Sequence, residues 1–130
     1  MLPKNDAEFL AERFPAHQVQ MEGGALCVVI PNFPMPGGLN VSAADLLLRL
    51  MPGYPDLAPD MWWFDPHVSR SNGSIIAATE AREHHLGRLW QRWSRHLDPG
   101  QWRAGIDCVE SYLAIVRREL AAAARLAAVS

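Results

Sequence analysis

The feature that most constrains this chain is the stripe Ile106, Val109, Leu113, Val116, Leu120 and Ala123, apolar residues spaced three or four apart. That period belongs to one face of an α-helix. It runs through an alanine-rich stretch and predicts a helix opening at Gly105-Ile106-Asp107 and reaching about Ala128. A long helix with one apolar stripe needs a second layer to cover it.

The apolar runs upstream are too short for helices and supply that layer as strands. His17 to Gln20 and Ala25 to Ile30 flank Glu22-Gly23-Gly24, a glycine turn. Leu46 to Met51 is a buried strand ended by Pro52-Gly53-Tyr54-Pro55, and Met61 to Phe64 is a fourth. In that fourth strand Trp62 and Trp63 face opposite ways, so one of them is a candidate for partial exposure. Asn5 or Asp6 caps a short helix through Phe14, stopped by Pro15, and Pro31 to Gly38 reads as a loop. The expected class is α+β: an N-terminal helix, a four-stranded antiparallel meander, a loop-rich segment and a long C-terminal helix. One domain over residues 1–130 accommodates all of it.

A net charge of −2 gives no electrostatic footprint for nucleic acid. No apolar run approaches the ~20 residues of a membrane-spanning helix, and Met1 to Asp6 does not lead into a secretory signal, so a cytoplasmic location is expected, with no membrane partner. Cys27 and Cys108 fit neither zinc spacing nor a disulfide framework; Cys27 reads as a core thiol and Cys108 as a packing residue near the last helix. Glu80 and Glu83 with His84-His85 lack a third ligand and read as a solvated polar turn. No metal and no cofactor are expected.

The segment from Leu86 to Asp107 is where a site is expected. It holds Trp90, Trp93 and Trp102, three of the five tryptophans, with Arg88, Arg92, Arg95 and Arg103. Leu86, Leu89, Trp90, Trp93 and Leu97 recur at helical spacing, while Gly87 favours an irregular or extended path. If the path is extended, Ser94 and His96 share a face. His96 then serves as the base for a Ser94 nucleophile, oriented by Asp98 or Asp107. The alternative is that Ser94 caps a turn and His96 bonds a backbone carbonyl. Trp90, Arg92, Trp93, Arg95 and Trp102 are candidates for partner binding, since tryptophan and arginine dominate binding hot spots.

Two segments carry a family resemblance. Tyr54-Pro55-Asp56-Leu57-Ala58-Pro59 resembles the Tyr-Pro-x-x-Pro-Pro turn of ubiquitin-conjugating (E2) proteins, with Asp60 in place of the last proline. Trp90-Gln91-Arg92-Trp93-Ser94-Arg95-His96, followed by Trp102-Arg103-Ala104-Gly105-Ile106-Asp107, resembles the prokaryotic E2-like family E. The resemblance implies an E2 (UBC-like) fold in a bacterial ubiquitin-like conjugation pathway. The implied partners are an E1-like adenylating enzyme and a ubiquitin-like protein.

Standard E2 proteins carry a cysteine a few residues after the active-site glycine, as a thioester acceptor. Here Gly87 is followed by Arg88-Leu89-Trp90-Gln91, with no thiol, and the His-Pro-Asn motif is missing. Two functional expectations follow. One is an acyl carrier or transferase using Ser94 for an oxyester, and the other is a catalytically inactive E2-fold module that binds the modifier or the E1. An unrelated α+β hydrolase using Ser94 and His96 is the third and weakest, having no Gly-x-Ser-x-Gly motif.

Overall fold

The computed structural model describes residues 2–129. Met1 and Ser130, the ends of the expected domain, lie outside the described residues. The elements run α1 (Lys4–Arg13), β1 (Gln18–Glu22), β2 (Ala25–Pro34), β3 (Ala43–Leu50), β4 (Trp62–Asp65), β5 (Arg82–His85), β6 (Arg88–Trp93) and α2 (Val109–Val129). The class is α+β, with a helix at each end of the order and antiparallel strands between them.

The sheet has six strands, not four, in the order β1-β2-β3-β4-β6-β5. The four expected strands are all present as β1 to β4. The two additional ones form a hairpin that turns at Leu86-Gly87, both of which adopt positive φ. The helical spacing of Leu86, Leu89, Trp90 and Trp93 is therefore incidental. Trp90 lies on one face of β6, Gln91 and Trp93 on the other, and all three are buried. A strand covered on both faces loses the alternation that would reveal it.

Neighbouring residues serve opposite faces. Val28, Ile30, Leu46, Leu48, Trp62, Phe64 and Trp93 point toward the helices, where Leu10 of α1 and Val109, Leu113, Val116 and Leu120 of α2 meet them. Cys27, Val29, Leu47, Trp63 and Trp90 form a second, smaller core on the outer face. Trp62 and Trp63 are both buried, at 1% and 5% exposure, so neither is the partly exposed one expected. The outer face is covered because the sheet curls. Glu22 at the end of β1 accepts the backbone N–H of Leu86, at the far hairpin, over 2.7 Å.

Three local expectations change. β2 runs on to Pro34, with an irregularity between Ile30 and Phe33 and Asn32 at φ 54°. β1 pairs only as far as Val29, so the prolines beyond it sit along an open edge and a bulge, where a missing N–H costs no ladder bond. Neither Asn5 nor Asp6 caps α1, which Pro3 precedes without a side-chain cap. α2 starts at Val109, and Ile106 leaves the stripe at 63% exposure because residues 104–106 form a turn. The rest of the stripe is buried as expected.

Candidate functional site

β6 divides the expected site between two sides of the sheet. Trp90, Arg92 and Ser94 serve the outer face. Trp90 is fully buried there, donates from Nε1 to the His85 carbonyl over 2.9 Å, and carries the Arg88 guanidinium 4.3 Å above its ring. Arg88 in turn clamps Asp45 and Asp65, carboxylates facing each other on β3 and β4, at 2.9 and 2.7 Å. These bonds more than offset the effect of burial and raise the pKa of Arg88.

Arg92 extends the network. Its Nε donates to Ser94 Oγ over 3.0 Å and its guanidinium bonds Glu83 at 2.7 Å. Glu83 also accepts from Trp63 Nε1 at 2.9 Å and faces His85 Nε2 at 3.0 Å. The other ring nitrogen of His85 faces Glu22 at 3.4 Å, so this imidazole, 13% exposed, lies between two carboxylates. His85 is thus part of strand β5 and not of a solvated turn, whereas His84 is exposed. Hydrogen bonding from the Leu86 N–H holds the Glu22 carboxyl below its ordinary range, with His85 adding to it. Burial pushes Glu83 up, but the bonds from His85, Trp63 and Arg92 outweigh it, and its pKa is lowered.

The other half of the segment faces α2. Trp93 is buried against Trp62 and Phe64. Arg95 lies 5.0 Å over the Trp93 ring and bonds Glu119 of α2 at 2.7 Å. His96 is 62% exposed and its Nδ1 lies 2.6 Å from Asp60. Asp107 accepts the N–H of Arg103, four residues back, while the Asp98 carboxylate has no hydrogen-bond partner among the described residues. No hydrogen bond joins Ser94 to His96, or His96 to Asp98 or Asp107. The reason is local. β6 ends at Trp93, Ser94 donates its N–H to Ala78 and the Arg95 carbonyl accepts from Met61, so the chain leaves the regular i, i+2 alternation at this point. Ala78 and Met61 both have positive φ, 59° and 63°, an uncommon conformation for residues with a Cβ.

Trp102 donates from Nε1 to the Pro55 carbonyl over 2.8 Å and lies against Tyr54 and Tyr112. With the Asp60–His96 pair, this bond brings the two segments 54–60 and 90–107 together. Tyr54 donates to Asp6 at 2.6 Å, and burial with the Asp6 charge beside it pushes the Tyr54 hydroxyl far above its ordinary pKa. Cys27 is fully buried, which raises its thiol pKa, and Cys108 is partly exposed just before α2, beside Ser111. Among the described residues no group of three His, Cys, Asp or Glu side chains is arranged to hold a metal ion. Among the described residues no helix is long and apolar enough to cross a membrane.

The residues missed by sequence reading are Asp60 and Glu22. Asp60 stands 36 positions from His96 and Glu22 stands 64 from Leu86, so no local spacing signals either contact. Glu83 and His85 were legible as an i, i+2 pair once residues 82–85 are taken as a strand. No curated protein and no solved structure matches the chain. The family model described as prokaryotic E2 family E matches residues 2–123, a range that spans both joined segments and most of α2. The chain belongs to prokaryotic E2 family E.

Proposed function

We propose that this protein is an E2 (UBC-like) fold component of a bacterial ubiquitin-like conjugation pathway. It binds the ubiquitin-like modifier or its E1-like activating partner without forming a covalent bond to either. The observation that carries this reading is the separate engagement of Ser94 and His96. Ser94 Oγ receives a hydrogen bond from Arg92, a group that cannot act as a base at neutral pH, and His96 is turned to Asp60. A serine without an adjacent base is a weak nucleophile. Trp90 and Trp93 are packed within the sheet, so the direct contacts are assigned to Arg92, Arg95 and Trp102 at its margins.

A second reading is favoured by the left-handed residues Met61 and Ala78, which bracket Ser94 and Arg95. Strained backbone concentrates at functional sites. In that reading Ser94 Oγ attacks the activated C-terminal carbonyl of the modifier on the E1-like partner. His96, released from Asp60 and steadied by Asp98 or Asp107, takes the hydroxyl proton, and the E1 leaving group departs.

Incubation with the E1-like enzyme, ATP and the modifier distinguishes the two. The binding reading expects co-elution with the modifier or the E1 and no adduct on a denaturing gel. An adduct stable to reductant, cleaved by hydroxylamine and absent in Ser94→Ala overturns it in favour of the oxyester. An adduct lost to reductant and absent in Cys108→Ala overturns both.

A further inference from the structure

The sheet ends in two edge strands, β1 and β5, and they are finished differently. β5 is short, and each of its residues, Arg82-Glu83-His84-His85, is charged or titratable. Such edges resist pairing with another chain. β1 has no such guard. Gln18, Val19, Gln20 and Met21 are all exposed, with no lysine, proline or bulge among them. Val19 and Met21, at 42% and 58% exposure, form an apolar step that Leu26 and Met51 extend.

The hairpin fixes which backbone groups β1 holds open. Gly23 and Gly24, at φ 57° and 81°, make a two-residue turn closed by Glu22 and Ala25, so that pair exchanges both of its hydrogen bonds. Bonded pairs alternate along an antiparallel ladder. Gln20 and Gln18 therefore bond Cys27 and Val29, while the N–H and C=O of Val19 and Met21 point away from β2. Neither of those N–H groups has a backbone partner elsewhere among the described residues.

This pattern is self-complementary. Laid antiparallel about Gln20, two copies of β1 set the open groups of Val19 against those of Met21 of the second copy. On the helix side valine then meets methionine. On the outer side Gln20 meets its own counterpart, and the Gln18 amide lies opposite the Glu22 carboxylate, with no like charges opposed within the strand. Sliding the strands by two residues either way puts a pair against His17 or Gly23, outside β1. We propose that β1 is a homodimerisation edge, joining a second copy of this chain through a two-fold axis at Gln20 into one continuous sheet. A single short strand pair buries little area, so the dimer is weak and depends on concentration. The proposal stands on the edge and does not rest on the conjugation reading.

The test is sedimentation velocity of the full chain from ~10 µM to ~1 mM, where a monomer converting to a dimer is expected. Val19→Pro removes an N–H that the β1–β2 ladder does not use, so it spares the fold, checked by circular dichroism, and raises the dissociation constant at least about tenfold. The register is read separately by cysteine cross-linking in a Cys108→Ala background. Gln20→Cys faces itself across the axis and forms a disulfide dimer under mild oxidation, whereas Gln18→Cys, equally exposed but opposite Glu22, does not. A chain that stays monomeric to ~1 mM, a dimer indifferent to Val19→Pro, or equal cross-linking of the two cysteine variants overturns the proposal. A monomer whose Val19 and Met21 amide resonances shift only when the ubiquitin-like modifier is added also overturns it, and gives the edge to an extended segment of the modifier.

Discussion

The outer face of the sheet and the cleft that Trp62, residues 95–98 and Arg118 of α2 line on its other side are built from the same residue types and treat them in opposite ways. On the outer face Arg88, Arg92, Glu22, Glu83 and His85 are each bonded to at least one partner of opposite charge or to a backbone group, over a small aromatic core. At the cleft Arg118 and one nitrogen of His96 make no bond among the described residues, and the Trp62 indole N–H is buried without a partner. A paired network holds the curled sheet in one shape, whereas groups without partners add nothing to it. The difference separates residues whose bonds specify the fold from polar groups that the fold leaves unused, although Arg92 and His96 stand only four positions apart.

The comparison can be broken at four points. Trp90→Ala removes the centre of the outer core and is expected to cost about 3–5 kcal/mol in urea denaturation, as large aromatic truncations do; a loss below ~1 kcal/mol would mean that the outer face is not a core. Arg88→Ala leaves Asp45 and Asp65 facing each other, and a loss of about 1–2 kcal/mol is expected, since the pairs are only partly buried. Adding Asp65→Asn to that variant should recover part of the loss, and a double variant no better than the single one argues against like-charge repulsion.

The third point is acid. The Glu22 and Glu83 carboxyls have folded-state pKa values below their ordinary 4.5. The stability they add is fully present above that value and is lost as pH falls through the lowered ones. Denaturation midpoints taken between about pH 6 and pH 3 should therefore decline, and the decline should be shallower in Glu83→Gln. An unchanged slope in that variant removes Glu83 from the account. The smallest effect belongs to the cleft: Arg118→Ala should shift stability by no more than ~0.5 kcal/mol, measured in the same urea series. A larger loss would place Arg118 with the structural residues and erase the contrast.

How much of this was legible in the sequence follows from the range of each interaction. The α2 stripe from Val109 to Ala123 and the strands β1 to β4 were readable, because periodicity and turn residues are local signals. The hairpin of β5 and β6 was not: burial on both faces removed the alternation of β6, and β5, Arg-Glu-His-His, has no apolar residue to alternate. The two motif segments were readable as motifs, but their joining through Trp102–Pro55 and His96–Asp60 spans 47 and 36 residues. Ser94 and His96 were placed two apart on an assumed strand. The left-handed residues that divert the chain there, Met61 and Ala78, are of types that give no warning of positive φ.

Asp6 has one further consequence. Its carboxylate, buried at 1% exposure, accepts the N–H of Val109 over 3.0 Å, so the first turn of α2 is capped by a residue of α1. On the ribosome the cap is made more than a hundred positions before the helix that needs it. The wall of the cleft therefore cannot be completed piecemeal. It takes shape only when α1 and α2 are together.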